Sequence, residues 1–312
     1  MINHEYFIRR TFLLAKKGEG KVAPNPMVGA ILVKEGKVLG EGYHKRFTGL
    51  HAEVEAINNA VKKFGHKMLE GSTLYISLEP CCHFGNNPAC TDIIISYGLK
   101  QVVFSCEDPN PLVAGKGKKI LKDFGIKVIS GVLKKEGEQL NEIFFKYIKK
   151  KIPFVYLKTA LSLDGRITHP HKKYLSNKAA LHFGHYMRNK IDAILVGHNT
   201  FIHDKPKLTC RIPGGHNPKK IILPARKVDL KALLKNLGKE GITSVMVEGG
   251  SQISTSFLQE KLVDKILLLY TPEIYGRMQL PFCQKLSKIA KLKDVKVEKL
   301  GNNILVEGYV IK

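Results

Sequence analysis

Along the whole chain, apolar residues switch between the two-residue rhythm of strands and the three-to-four spacing of helices, and this alternation limits the fold more than any other feature. The opening stretch MINHEYFIRRTFLLAKKGEG reads as a helix with one short apolar patch at 12–15. Residues 27–33 (MVGAILV) read as a strand, Lys34-Glu35-Gly36-Lys37 as a turn and 38–42 as the returning strand. Residues 51–64 set Ala52, Ala56, Ala60 and Val61 on one helical face. Strands at 72–78, 101–105 and 126–130 then alternate with helices at 91–97, 116–124 and 133–149, two of the helices closed by Gly98 and Gly125. Chains of this pattern build layered α/β domains.

The stretch Lys149-Lys150-Lys151-Ile152-Pro153 marks a boundary, because charge rises there and the proline restarts extended backbone. The length of 312 residues suits two domains, 1–149 and 150–312. In the second, strands are expected at 154–162, 192–197, 219–223, 242–250, 263–272 and 304–311. Helices are expected near 178–190, 229–238 and 251–260, with a polar loop rich in His and Pro after 197.

No apolar run approaches the ~20 residues that cross a bilayer, so the expectation is no membrane span and a cytoplasmic location. Of six cysteines, Cys81, Cys82 and Cys90 fall together while Cys106, Cys210 and Cys283 are scattered. That clustering suits metal binding better than a disulfide framework. The net charge is +24, with 23 basic against 15 acidic residues up to residue 150 and 28 against 12 beyond it. Lysines spread along the chain read as a solvated surface that also favours phosphorylated small molecules.

His51-Ala52-Glu53 opens a helix, Pro80-Cys81 follows a strand, and Cys90 starts another helix. One imidazole and two thiolates suit Zn2+ and leave a fourth tetrahedral position for water, the catalytic rather than the structural arrangement. Zinc lowers the pKa of such a water. Glu53, two residues from His51, is placed to shuttle protons without being a ligand. Zinc deaminases of bases carry His-x-Glu followed by Pro-Cys-x-x-Cys; here the two cysteines lie nine apart.

The widened stretch Pro80-Cys81-Cys82-His83-Phe84-Gly85-Asn86-Asn87-Pro88-Ala89-Cys90 resembles the deaminase half of the bifunctional riboflavin-biosynthesis deaminase-reductases. So do Pro24-Asn25-Pro26-Met27-Val28-Gly29 and Gly42-Tyr43-His44 leading into His51-Ala52-Glu53-Val54-Glu55-Ala56. The resemblance implies a cytidine-deaminase-like three-layer domain with His51, Cys81 and Cys90 as zinc ligands and Glu53 as the proton shuttle. It leaves Cys82 and His83 as neighbours. Asn25, between two prolines, is a candidate for hydrogen bonding the pyrimidine, and His44 reads as structural.

In the second half, TALSLDGR, DAILVG with Thr200, and VEGGS follow in the order of the reductase half of the same family. That resemblance implies a dihydrofolate-reductase-like α/β domain that uses NADPH to reduce a ribosyl group to ribityl. Carried over by motif position, Ala160, Tyr174, Thr200, Asp204 and Gly250, Ser251, Gln252, Ile253, Ser254, Thr255 and Ser256 would contact NADPH. Lys172, Arg188, Leu208, Arg211 and Glu248 would face the substrate, a phosphorylated pyrimidine. Arginines clamp phosphate well because their planar fork matches two oxygens. Three departures stand out: Tyr174 replaces a Trp, Lys205 an Asp, and Lys172 a small polar residue. The segment between Ile222 and Val228 is also shorter than in the family, which puts one strand and part of the cofactor wall in question. Other readings are a deaminase with a degenerate second domain, a nucleic-acid deaminase and a zinc-stabilised binding module. The cysteine spacing and the second-half motifs speak against nucleic acid. The family also suggests a homo-oligomer.

Overall fold

A computed structural model of the protein describes residues 3–83, 88–169, 171, 176–284 and 286–312. The chain divides into two compact units, Met1–Lys150 and Lys151–Lys312. Lys172 and Tyr174 lie outside the described residues.

The first unit runs α1 (His4–Lys16), β1 (Gly29–Lys34), β2 (Lys37–Tyr43), α2 (Ala52–Phe64), β3 (Thr73–Leu78), α3 (Cys90–Ser96), β4 (Gln101–Cys106), α4 (Lys116–Asp123), β5 (Lys127–Ser130), α5 (Lys134–Leu140) and α6 (Glu142–Lys150). Its sheet has the order β2-β1-β3-β4-β5. β1 is antiparallel to β2 and β3, and β3, β4 and β5 are parallel. Both faces of the strands are apolar, as expected where helices cover both sides. Ala30, Leu32, Leu74, Ile76, Val102 and Phe104 face Ala56, Ile57, Ile94 and Leu121 of α2, α3 and α4. Ile31, Val33, Tyr75 and Val103, one residue out of step, meet Phe7, Ile8 and Phe12 of α1. The result is three layers. Burying each such Leu or Ile is worth about 1.5–3 kcal/mol.

Two glycines set how closely α2 lies on β2. A Cβ at Gly40 would sit 2.2 Å from the Ala56 carbonyl oxygen, and one at Gly42 would sit 2.4 Å from the Ala56 nitrogen. Backbone therefore meets backbone along one face of β2, which seats the first turn of α2 against the sheet edge.

The segment expected as one helix over 133–149 is two. Asn141 interrupts it: its buried side chain accepts from the Met27 N–H at 2.8 Å and donates to the Met27 carbonyl at 2.9 Å. This bond pair is the reason for the break, since the side chain serves the chain entering β1.

The second unit runs β6 (Phe154–Leu161), α7 (Lys178–Lys190), β7 (Ala193–Gly197), α8 (His198–Asp204), β8 (Lys219–Leu223), α9 (Leu230–Lys239), β9 (Ser244–Val247), α10 (Ser251–Gln259), β10 (Lys265–Tyr270), β11 (Leu292–Leu300) and β12 (Asn303–Val310). The sheet order is β11-β12-β10-β6-β9-β7-β8. β10, β6, β9, β7 and β8 are parallel; β12 and β11 add antiparallel. Leu230, Leu234 and Leu237 of α9 and Phe257 and Leu258 of α10 pack on Val155, Leu157, Leu195, Val245 and Val247. The loop expected after residue 197 holds the short helix α8, ended by Lys205 at φ +41°. β11 was not expected because its side chains are almost all exposed and show no buried face. Parallel strands send their following loops to one edge, where α/β ligand sites form.

Candidate active site

In the first unit, β3 ends at Leu78 and delivers Cys81 beside the starts of α2 and α3. His51 is the N-cap of α2 and makes no side-chain cap bond, so its ring is available to the site. His51 Nδ1 lies 3.2 Å from Cys90 Sγ and 3.4 Å from Cys81 Sγ. Zinc bonds of about 2.3 Å to sulfur and 2.0–2.1 Å to nitrogen at tetrahedral angles would separate such atoms by about 3.6 Å. The three donors therefore fit a zinc ion with little adjustment, and among the described residues no other potential metal cluster occurs. Cys82 instead points its thiol at the Leu112 carbonyl, 3.7 Å away, and His83 is exposed.

Glu53 stands in the first turn of α2, only 4% exposed. Burial pushes its carboxyl up, and its side chain reaches Cys90. A carboxyl in that state can take and return a proton. The Cys90 hydrogen bond comes first in holding the Cys81 thiol down, to about 4, with His51 adding to it. Cys81 in turn raises His51 to about 9.

Asn25 is held by His44. The His44 Nδ1–H donates to the Leu50 carbonyl at 2.9 Å, so Nε2 accepts from the Asn25 amide nitrogen at 3.2 Å. This leaves the Asn25 oxygen for a partner. His44 is buried and stands edge-on to His51, with ring centroids 5.7 Å apart.

In the second unit, the pairing of Leu157 with Val247 places Lys158 of β6 beside Glu248, the residue after β9. Lys158 Nζ lies 3.2 Å from Glu248 Oε1, and Arg188 of α7 lies 2.8 Å from Oε2. Burial alone would raise the Glu248 carboxyl, but Lys158 and Arg188 outweigh it and hold it low. Arg188 also donates to the Thr209 carbonyl at 3.3 Å, and the His185 Nδ1–H donates to the same oxygen at 3.2 Å. That carbonyl follows Leu208, which is buried at φ +54°. Arg211, two residues on, is exposed and close enough to help lower His185 after burial and Arg188.

Of the residues expected at a dinucleotide, Gly250 and Thr200 meet. A Cβ at Gly250 would sit 3.6 Å from Thr200 Oγ1, and Gly250 caps α10 with no side chain of its own. The hydroxyls of Ser251 and Ser254 are buried with no hydrogen-bond partner. Orphaned hydroxyls at a helix start behind two glycines fit a phosphate-bearing cofactor such as NADPH. Ile253 has a different task, filling the space beside Gly197, where a Cβ would approach within 2.4 Å. The Thr255 hydroxyl is engaged with Ser251 O and Gln284 N, and the Ser256 hydroxyl bonds back to Gln252 O. Gln252 is exposed, Ala160 half-buried in β6, and Asp204 exposed at the last residue of α8. The sequence reading overlooked Lys158 and His185. A charged residue inside the largely apolar strand FVYLKTAL was the available signal for the first.

Known proteins resemble the chain throughout. The family model for the cytidine and deoxycytidylate deaminase zinc-binding region matches residues 1–106. The RibD C-terminal domain matches in two pieces, 153–227 and 219–306. The riboflavin biosynthesis protein RibD of Synechocystis is 39% identical, covering 99% of this chain and 97% of that protein, and that of Aquifex aeolicus is 36% identical, covering 96% of each. A Thermotoga maritima structure, a diaminohydroxyphosphoribosylaminopyrimidine deaminase/5-amino-6-(5-phosphoribosylamino)uracil reductase, superposes with a TM-score of 0.90 at 38% identity, covering 99% of both chains. Acinetobacter baumannii RibD superposes equally well, with a TM-score of 0.90 at 30% identity and 99% coverage of both. The Synechocystis alignment spans 363 positions, more than the chain's 312 residues, so that relative carries segments missing here. The two pieces of the C-terminal match overlap at 219–227, over β8 and the start of the short connection to α9. With a cytidine-deaminase-like first unit and a reductase-type second, the chain belongs to the RibD family of riboflavin-biosynthesis proteins.

Proposed function

We propose that the chain carries out two steps of riboflavin synthesis, deaminating 2,5-diamino-6-(5-phosphoribosylamino)pyrimidin-4-one and then reducing its ribosyl side chain to ribityl. The observation that carries this reading is the convergence of His51, Cys81 and Cys90 with buried Glu53 beside them. Zinc in that cluster would activate a water near neutral pH, and NADPH in the second unit would supply a hydride. Glu53 takes the proton from the attacking water and passes it to the leaving nitrogen, which departs as ammonia. Asn25, its amide fixed by His44, offers its oxygen to an N–H of the pyrimidine.

In the reductase unit, Lys158 is the charged donor nearest the centre of the sheet. We assign it to protonate the ribose oxygen as the ring opens, with Glu248 holding its ammonium in place. Arg188 is already committed to Glu248, so Arg211 is the cation we assign to the substrate phosphate. Thr200, Gly250 and the start of α10 receive the cofactor phosphates. Ala160, Asp204 and the backbone beside the buried Leu208 complete the two binding faces in this reading. We further propose that copies self-associate through the exposed apolar residues Met278, Ile289, Val295 and Val297, which sedimentation would reveal. Among the described residues no helix is long and apolar enough to cross a membrane.

Zinc-loaded protein is to be given the diaminopyrimidine phosphoribosyl substrate, and NADPH added after ammonia release. Ammonia followed by NADPH oxidation supports both steps. Ammonia without oxidation refutes the reductase assignment, and ammonia from another base alone refutes the substrate.

A further inference from the structure

The peptide that leads into Cys81 is gripped from outside the ligand set. Glu79 follows β3, continues its ladder by donating its N–H to the Cys106 carbonyl at 2.9 Å, and is only 3% exposed. Its carboxylate accepts three backbone N–H groups. Those of Asp108, at 3.3 Å, and Gly115, at 3.0 Å, go to one oxygen; that of Lys118, at 3.0 Å, goes to the other.

Two of these donors belong to the start of α4. Gly115 is its N-cap, adopts a left-handed conformation and has no side chain to satisfy the first-turn N–H groups. Helix starts need acceptors and favour negative charge. Glu79 therefore serves as the missing cap from a distant strand. α4 also touches the neighbouring residue, since a Cβ on Gly117 would sit 2.3 Å from the Pro80 carbonyl oxygen. Cys81 itself is tied onward, its carbonyl accepting the Thr91 N–H of α3 at 3.2 Å. The segment Glu79-Pro80-Cys81 is thus clamped between α4 and α3, with the carboxylate as the bolt.

We propose that Glu79 is a positioning residue of the zinc site, which sets Cys81 against His51 and Cys90 by capping α4. A glutamine cannot replace it without loss. Its amide N–H₂ would face a backbone N–H, and one of the two oxygens that accept here would be gone. Groups that orient metal ligands typically cost 10–100-fold in metal affinity or activity when changed.

The proposal rests on the zinc reading of the cluster, and the test separates the two. Zinc release from full-length wild type and Glu79→Gln is to be followed by transfer to a chromogenic chelator, alongside absorption spectra of the cobalt-loaded proteins. The expected result is zinc release 10–100-fold faster in the variant, with a changed thiolate-to-cobalt band. Glu79→Asp, which keeps the charge and both oxygens but draws them back by one methylene from the Asp108, Gly115 and Lys118 N–H groups, should change the same band, and serves should Glu79→Gln fail to fold. Unaltered release and spectrum in either folded variant, with only the melting temperature lowered, would mean that Glu79 stabilises α4 and does nothing for the metal. A wild type that holds no stoichiometric zinc or cobalt would overturn the site reading and this proposal together.

Discussion

Zinc binding should release two protons, and the number follows from how the empty cluster is charged. Cys81 is held down to about 4, first by the Cys90 hydrogen bond and then by His51, so it is already a thiolate above about pH 5. Its hydrogen bond raises His51 to about 9 against the opposing effect of burial, so the imidazole stays protonated. Cys90, hydrogen-bonded to that thiolate and buried, is pushed well above the ordinary thiol range and keeps its hydrogen. The count belongs to the trio as a whole. Zinc requires a bare imidazole nitrogen and two thiolates, so it must displace one proton from His51 and one from Cys90. Each displaced proton makes apparent affinity rise tenfold per pH unit, which gives about a hundredfold per unit from roughly pH 5 to 8. The direction is set by the raised groups: affinity grows with pH and begins to level as pH passes the raised His51 value.

Three unperturbed residues would behave differently between pH 5 and 6. With an ordinary His near 6.5 and both thiols near 8.5, three protons would leave and affinity would climb about a thousandfold per unit. Competition with a chelator at pH 5.0, 5.5 and 6.0 distinguishes the slopes. Calorimetry in buffers of differing ionisation heat counts the protons directly. The variant Glu53→Gln is the right protein for this, because it removes a buried carboxyl that could add its own proton. A slope of three would show that Cys81 is an ordinary thiol in the empty protein, and a slope of one that His51 is neutral there; either refutes the reasoning.

The same variant should deaminate about 10²–10⁴-fold more slowly with its zinc content unchanged, as read by ammonia release and metal analysis. Glu248→Gln leaves Lys158 and Arg188 without their counter-charge in a largely buried position. It should cost about 3 kcal/mol in denaturant unfolding and suppress NADPH oxidation while ammonia release persists. Gly42→Ala sets a methyl group 2.4 Å from the Ala56 nitrogen and 2.5 Å from the Ala52 carbonyl. It should destabilise the protein by about 1–3 kcal/mol and lower zinc occupancy, because the turn that moves carries His51 and Glu53.

The convergence of His51, Cys81 and Cys90 was legible because these residues fall in short words, His-Ala-Glu, Pro-Cys and a later Cys, at element ends. The alternation of strands and helices likewise announced both layered units. What escaped was whatever depends on distant partners. Asn141 looks like an ordinary polar residue inside a helix until Met27 claims both ends of its amide. Lys158 looks like a solvent-facing strand residue until the β6–β9 register brings Glu248 alongside. Glu79 is one acid before a proline, and its three donors arrive from residues 108–118. β11 shows no buried face, so no hydrophobic rhythm betrays it. In the reductase unit the motif positions lead to the start of α10, yet Ile253, Thr255 and Ser256 turn their side chains to packing or to other protein groups.

The two sheets differ in when they can be assembled on the ribosome. In the first, every strand finds its neighbours early, β1 with β2 and β3, then β3 with β4 and β4 with β5, so the layered core closes once residue 150 has emerged. In the second, β6 is synthesised first and must lie near the middle, but its partners begin only at Ser244 and Lys265. Until those arrive, an apolar strand waits without a sheet. Domains that fold in order of synthesis escape much misassembly, and long-range parallel pairing is slow. The zinc-binding half should therefore be native while the other half is still being made, and the vulnerable interval for aggregation should belong to the nascent second half alone.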